Sequence, residues 1–263
     1  METVKEILEN SKKVVVKVGS NVLSTEDGHI NKEAMANIVS QIVHLREMGK
    51  QVTIVSSGAG ICGVGAIKKW ARRNDLNYKQ ALCAIGQVEL MIAYKEIFNT
   101  HEIHVAQMLL TGDDFSEGQR NLNIRNALFT LIDEGVVPII NENDSVSVDQ
   151  IRIGDNDTLG ARTASIWNAD VLIMLSDIDG VYDKNPKEHK DAVLIEKVKD
   201  LKTIEKEIEI SGKSSFGTGG LATKIAASKI VEEYGIHALL LNGKKKDVMV
   251  DVIEGKAKGT VLC

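Results

Sequence analysis

DVLIMLSDIDG, residues 170–180, sets five apolar side chains in a row between two aspartates and then turns polar and glycine-ended. A strand with one face in water alternates apolar and polar residues. An unbroken apolar strand is covered on both faces, as in a parallel sheet between two layers of helices. The surroundings repeat that rhythm. Before the run, residues 157–167 read as a helix. After it, LATKIAASKIVEEYG (221–235) reads as a helix with a glycine stop, and HALLLN (237–242) as the next strand. Upstream, VVVKV (14–18) reads as a buried strand. Residues 31–48 read as a helix with Ala34, Ile38, Ile42, Leu45 and Met48 on one face, Asn31 as N-cap and Gly49 as stop. QVTIVSS (51–57) is a strand, about 79–98 a helix, HVAQMLL (104–110) a strand, and about 121–133 a helix ending at Gly135. In VVPIIN (136–141), Pro138 lacks a ladder donor, so that strand should lie near an edge or begin at the proline. VSVDQIRI (146–153) reads as a short strand or hairpin. The expected class is α/β, an open αβα sandwich around a mostly parallel sheet.

Composition narrows the function. The chain has 263 residues, 43% hydrophobic and 26% charged, the balance of an ordinary globular protein. A net charge of −5 gives no general attraction to nucleic acid or anionic membrane, and no apolar run approaches the roughly 20 residues of a membrane helix. The basic clusters Lys244–Lys246 and Lys68, Lys69, Arg72 and Arg73 around Trp70 read as solvated faces. Three scattered cysteines without a Cys-x-x-Cys suggest neither a disulfide framework nor zinc, and the polar N-terminus carries no apolar signal core. A reducing cytoplasm is the expected location.

In sheets of this kind ligands bind at the carboxyl ends of the strands. There the sequence sets KVGSN (17–21), SSGAG (56–60), NEND (141–144), GDND (154–157), SDIDG (176–180) and GTGG (217–220). Several familiar patterns fail. GAGICG (58–63) fits the dinucleotide fingerprint, but follows the second strand and has no acid about 20 residues on; its glycines are better suited to close backbone packing. SGKS (211–214) lacks the glycine of a phosphate loop, since residue 207 is Glu. Counted from Asp155, a calcium loop would need Glu where Ile166 stands. His101 and His104 have no carboxylate in a metal-binding pattern.

Two lysines remain. Lys17 ends a core strand, where a charge is costly unless an anion meets it. Lys224 sits in the first turn of a helix after GTGG, an environment that favours phosphate. Together they suggest a phosphoryl-transfer clamp. The acid-and-amide knots NEND and GDND face a metal, a cationic substrate, or only each other in a turn.

The chain is identified here as a member of the amino acid kinase family. The carriers are VVVKVGSNVL (14–23), VSSGA (55–59), QMLLT (107–111), VVPIINENDSV (136–146), GDND (154–157), DIDGVY (177–182) and GTGGLATK (217–224). INEND with GDND resembles the members that phosphorylate glutamate; KVGS and GTGG…K are shared more widely. The resemblance implies the carbamate kinase-like fold as one domain over 1–263, with an amino-terminal lobe for glutamate and a carboxyl-terminal lobe for ATP, and without the PUA domain that many members carry. It implies ATP-dependent phosphorylation of the γ-carboxylate of L-glutamate to L-glutamyl 5-phosphate, the first step of proline biosynthesis.

By the same resemblance Ser57, Asp144 and Asn156 hold glutamate. Lys17, Ser176, Asp177 and the stretch Thr218, Gly219, Gly220, Leu221, Ala222, Thr223 and Lys224 hold ATP. Lys17, Asp157 and Lys224 are catalytic, with Asp157 orienting both lysines. Mg2+ comes with ATP and no protein ligand to it is assigned. Proline as feedback inhibitor, transfer of the product to glutamyl phosphate reductase, and a homo-oligomer are also implied. Ser176 stands where threonine is common, VSSG replaces VTSG, and GAGICGVG replaces a more alanine-rich helix start. A kinase of the same fold acting on acetylglutamate or uridylate, and a dinucleotide-dependent oxidoreductase, are the alternatives.

Overall fold

The computed structural model describes residues 2–25, 29–68, 75–116, 118–147, 156–184, 186, 188–201 and 220–262. The strands are β1 (Lys13–Val18), β2 (Gln51–Ser56), β3 (Val105–Leu110), β4 (Val137–Glu142), β5 (Val171–Ser176), β6 (Val181–Tyr182), β7 (Leu194–Ile195), β8 (Lys197–Val198), β9 (His237–Asn242) and β10 (Thr260–Leu262). The α-helices are α1 (Val4–Asn10), α2 (Ser20–Leu23), α3 (Lys32–Glu47), α4 (Ala59–Ile67), α5 (Leu76–Asn99), α6 (Gln119–Asp133), α7 (Asp157–Trp167), α8 (Leu221–Glu232) and α9 (Val248–Ile253). Among the described residues none is long and apolar enough to cross a membrane.

The main sheet runs β3-β4-β2-β1-β5-β9-β10-β8, with β6 and β7 forming a separate ribbon. Its pairs are parallel from β3 through β9, and β10 joins β9 antiparallel. The period of two along each strand divides the core. Val14, Val16 and Val18 of β1 pack in one layer with α1, α3, α5 and α9. Val15 packs in the other with α6, α7 and α8. On β5 the same rule sends Ile173 and Leu175 to the first layer, and Leu172 and Met174 to the second. Lys17 and Ser176 are therefore in phase with the second layer.

Most expected elements are present within a few residues. Asn31 caps α3 by accepting a hydrogen bond from the Ala34 amide, and Gly49 beyond it takes φ +82°. Met48 is a correction: it lies past the last helical turn as the C-cap and is exposed, while Met35, Val39 and Val43 join the buried face. Pro138 is the second residue of β4, one strand in from the edge, and the ladder to β2 begins only at Ile139. The expected hairpin at 146–153 and SGKS at 211–214 lie outside the described residues wholly or mostly. GAGICG is a packing device. A Cβ on Gly63 would come within 2.0 Å of the Leu82 carbonyl oxygen, and one on Gly86 within 1.8 Å of that of Ala59. Helices α4 and α5 thus touch backbone to backbone.

Candidate active site

β1, β2, β4 and β5 all run out at the same edge of the sheet. Lys17, in phase with the second layer, points at the start of α7. Gly160 of that helix faces it, and a Cβ there would lie 3.4 Å from the Lys17 Cβ, in contact with it. The first residue of α7 is Asp157, fully buried. Its Oδ1 is 2.5 Å from the Lys17 Nζ and its Oδ2 is 3.1 Å from the Lys224 Nζ. Lys224 comes from the first turn of α8, and the neighbouring Thr223 hydroxyl also reaches the Asp157 Oδ2, at 3.0 Å. Lys17 and Lys224 are only 5% and 7% exposed. Two ammonium groups meet one carboxylate in a nearly dry setting, an arrangement that is costly to bury and that suits an anionic ligand. The amine of Lys17 lies above Gly19 and that of Lys224 above Gly220, which keeps both tips clear of side chains at these points.

A second cluster adjoins the first through Asn156, the residue before Asp157. Its amide donates to the Ser56 carbonyl at 3.0 Å, to the Ser57 hydroxyl at 3.0 Å and to the Asn141 Oδ1 at 2.9 Å. Asn141 in turn donates to the Gln87 Oε1 on α5 at 2.9 Å. The Asn156 Oδ1 is buried and has no hydrogen-bond partner among the described residues. Beside Gln87 opens a cavity of about 240 Å³, lined among others by Cys83, Glu142 and Asp144. Burial raises the Asp144 pKa, against a lowering hydrogen bond from the Cys83 thiol. Burial also pushes the thiol up, with help from the Asp144 charge, to about 12.

At the exit of β5 the Ser176 hydroxyl donates to the Asp177 Oδ1 and the Asn21 amide to its Oδ2, both at 3.3 Å. The loops after β1 and β5 are thereby tied together. Further along, Asp179 accepts from Asn242 at 2.8 Å, from Tyr182 at 3.1 Å, and pairs with Lys245 at 2.7 Å. Burial works to raise its pKa, but these three donors outweigh it and the net shift is downward. One member of the basic run 244–246 thus has a carboxylate partner while remaining half in solvent.

Of the residues expected from sequence, Lys17, Asp157 and Lys224 converge, Ser57 and Asn156 bond directly, and Asp144 lies across the Asn141–Gln87 link. Ser176 and Asp177 stand at the neighbouring strand exit. Asp155, Thr218 and Gly219 lie outside the described residues. Leu221 opens α8 with its side chain buried in the second-layer core. Gly220 caps α8, and Ala222 is exposed. Gln87 and Cys83 were not expected, and their sequence signal was only their place on a helix that packs beside NEND; Asn141 stood inside NEND without a role of its own. Among the described residues no cluster of three or more His, Cys, Asp or Glu side chains could hold a metal ion.

The sequence pattern of the amino acid kinase family matches residues 12–242. The chain is 58% identical over 259 residues to the glutamate 5-kinase of Alkaliphilus metalliredigens (strain QYMF), covering 98% of each chain. It is 56% identical over 257 residues to the glutamate 5-kinase of Alkaliphilus oremlandii (strain OhILAs), again covering 98% of each. Among solved structures it resembles the UMP kinase of Ureaplasma parvum, with a TM-score of 0.65 at 20% identity, covering 96% of this chain and 98% of that one. That last likeness speaks for the fold alone. Buried lysines around one acid at the strand ends, and identity this high over nearly the whole length, agree: the chain belongs to the amino acid kinase family and, within it, to the glutamate 5-kinases.

Proposed function

We propose that the protein transfers the γ-phosphoryl group of ATP to the γ-carboxylate of L-glutamate, giving L-glutamyl 5-phosphate and ADP. The observation that carries this reading is the buried Lys17–Asp157–Lys224 triad, two ammonium groups held on one carboxylate at the strand exits. The γ-carboxylate, with a reference pKa of about 4.3, is ionised at neutral pH, so no general base is required. One carboxylate oxygen forms a bond to the γ-phosphorus while the bond from that phosphorus to the β,γ-bridging oxygen breaks, and ADP leaves with the electron pair. Two anions must meet for this to happen. Lys17 stabilises the phosphoryl group in transit, and Lys224 neutralises charge developing on the ADP side. Asp157 fixes both amines and keeps them charged without reaching the phosphate.

Magnesium enters with the nucleotide as part of the substrate. It does not fit among the three charged side chains, since both Asp157 oxygens are engaged by ammonium groups. Ser176, Asp177 and the first turn of α8, with the stretch Thr218–Lys224, bind ATP on the carboxyl-terminal lobe. Ser57, Asp144 and Asn156 bind glutamate on the amino-terminal lobe. Asp144 takes the α-ammonium by a charge-assisted hydrogen bond, and the unpartnered Asn156 Oδ1 is a natural second acceptor. Proline, which shares the amino acid head group, competes for that pocket as a feedback inhibitor. The product is an acyl phosphate, consumed by a reductase on the way to proline, and the cytoplasm is the setting. A second copy of the chain covers the exposed Ile85, Val88 and Ile92 of α5.

The test is ADP release with glutamate, acetylglutamate, aspartate and uridylate in turn, with hydroxylamine present to trap an acyl phosphate as the hydroxamate. Turnover and hydroxamate with glutamate alone are expected. Turnover with uridylate, or with glutamate but without hydroxamate, would overturn the assignment.

A further inference from the structure

Four side-chain amides run head to tail on the substrate side of the site. On β4 the period of two puts Asn141 in phase with Ile139, which packs in the first layer with α5. The Asn141 Nδ2 donates to the Gln87 Oε1 of α5 at 2.9 Å, and the Asn141 Oδ1 accepts from the Asn156 Nδ2 at 2.9 Å. The Gln87 Nε2 donates in turn to the Gln107 Oε1 of β3 at 3.5 Å, and both glutamines line the cavity. Main-chain groups fix the polarity of this chain. The Glu142 N–H can only donate, and it meets the Asn141 side chain at 2.9 Å, so the atom there is oxygen. The Ser56 carbonyl can only accept, and it meets the Asn156 side chain at 3.0 Å, so the atom there is nitrogen. The Asn141 nitrogen is thereby turned to Gln87, which must meet it with oxygen.

We propose that Gln87 is a positioning residue: by accepting from Asn141 it holds the Asn141 oxygen on the Asn156 amide, and so keeps the Asn156 Oδ1 free as an acceptor for the α-ammonium of the substrate. The inference rests on the reading of Asn156 given above. Asn156 commits its nitrogen to three acceptors, the Ser56 carbonyl, the Ser57 hydroxyl and the Asn141 Oδ1. Its buried Oδ1 has no hydrogen-bond partner among the described residues, and such an oxygen costs free energy until a donor arrives. Gln87 is 7% exposed and Asn141 2%, so little water reaches their contact. Without the Gln87 oxygen Asn141 has two arrangements. It keeps its place with a buried, unpaired NH2, or it turns over and sets that NH2 against two other donors, the Glu142 N–H and the Asn156 amide. Either one disturbs the junction that holds Asn156. Gln87 stands on α5, whereas the lysines and their acid come from β1, α7 and α8. The effect therefore falls on the amino acid and not on the nucleotide.

Gln87→Met keeps the length of the side chain and removes its oxygen. It should raise KM for glutamate about tenfold, the lower end of what a hydrogen bond to a charged group is worth, and leave kcat and KM for ATP near wild type. A double-mutant cycle with Asn156→Ala separates positioning from packing. Once the Asn156 oxygen is gone there is nothing left to place, so Gln87→Met should add nothing to the KM of Asn156→Ala. A KM unchanged in Gln87→Met, or raised by the same factor in both backgrounds, overturns the proposal. Asn141→Ala breaks the same chain one step nearer Asn156, and is measured in its place if Gln87→Met shows no cooperative thermal transition. KM for glutamate must rise there too, and an unchanged value overturns the proposal. Asn156→Ala alone distinguishes the two levels. If it leaves KM for glutamate unchanged, the pocket reading itself fails; if it raises KM while Gln87→Met does not, only the role of Gln87 fails.

Discussion

Asp157 is the side chain on which the most charge depends. It is fully buried, and each oxygen meets an ammonium group that is itself almost out of water. Asp157→Asn preserves volume and removes the carboxylate that pairs with both lysines. Breaking a buried ion pair by deleting one partner costs about 3–5 kcal/mol, a large part of the roughly 5–15 kcal/mol that holds a domain folded. A clearly lower urea midpoint is expected, with turnover down by about two orders of magnitude, as for the loss of a preorganised electrostatic contact. An Asp157→Asn protein with wild-type stability would mean that the lysines do not need the acid between them. The two lysines were legible in the sequence for a physical reason: a charge at the end of a core strand, or just inside a helix, is improbable unless something meets it; Asp157 between them came only with the family resemblance. Gln87 was not legible, nor was its partnership with Asn141 of NEND, because a neutral amide is as acceptable on a wet surface as in a buried network. Their partnership spans 54 positions of sequence and exists only once β4 lies beside α5.

At the scale of elements, the contact of α4 with α5 decides whether the substrate side of the pocket is held at all. Gly86 sits between Leu82 and Leu90 on α5, and a methyl group there would fall 1.8 Å from the Ala59 carbonyl oxygen and 2.2 Å from the Gly63 nitrogen. Both obstacles are backbone, so neither yields by a rotamer change. Overpacking of a tight core costs typically about 1–3 kcal/mol, and Gly86→Ala belongs at or above the top of that range. Its urea midpoint should fall, and KM for glutamate should rise even where the protein stays folded, because the neighbouring Cys83 and Gln87 would move with the helix. An Ala variant with unchanged midpoint would show that α4 and α5 have room to part. The periods of 3.6 and 2 announced the long elements, and glycines at positive φ, such as Gly49, Gly135 and Gly235, marked where helices end. The short ones gave no such signal. Strands of two residues, such as β6, β7 and β8, have no period to read. Helix α1 did carry a sign, the Thr3–Glu6 capping box, but a seven-residue helix offers too few apolar positions to stand out from a polar terminus.

For the whole molecule, the individual strands could be read locally, but their order could not. β1 lies in the middle of the sheet, and β5 returns to its free side after β2, β4 and β3 have filled the other. That crossover brings α7 over Lys17, and no local pattern encodes it. Outside this frame one surface remains unaccounted for by a monomer. Ile85, Val88 and Ile92 of α5 are 39%, 58% and 45% exposed and fall on one side of the helix, at spacings of three and four. The Cys83–Gln87 face of the same helix borders the pocket, and Val88 at the stripe's margin reaches the pocket wall as well. A helix apolar on a solvent-facing stripe is unusual in a monomer, and a second copy is the partner proposed for it. Ile92→Asp sets an unpaired charge in that stripe without touching the core or the pocket lining. Sedimentation analysis should show the variant at a smaller mass than the parent at equal concentration, with its thermal transition and hydroxamate yield per chain still measurable. If parent and variant sediment alike as oligomers, the chains meet elsewhere. If both sediment as monomers, the stripe stays bare, and the pocket that α5 borders is held by this chain alone.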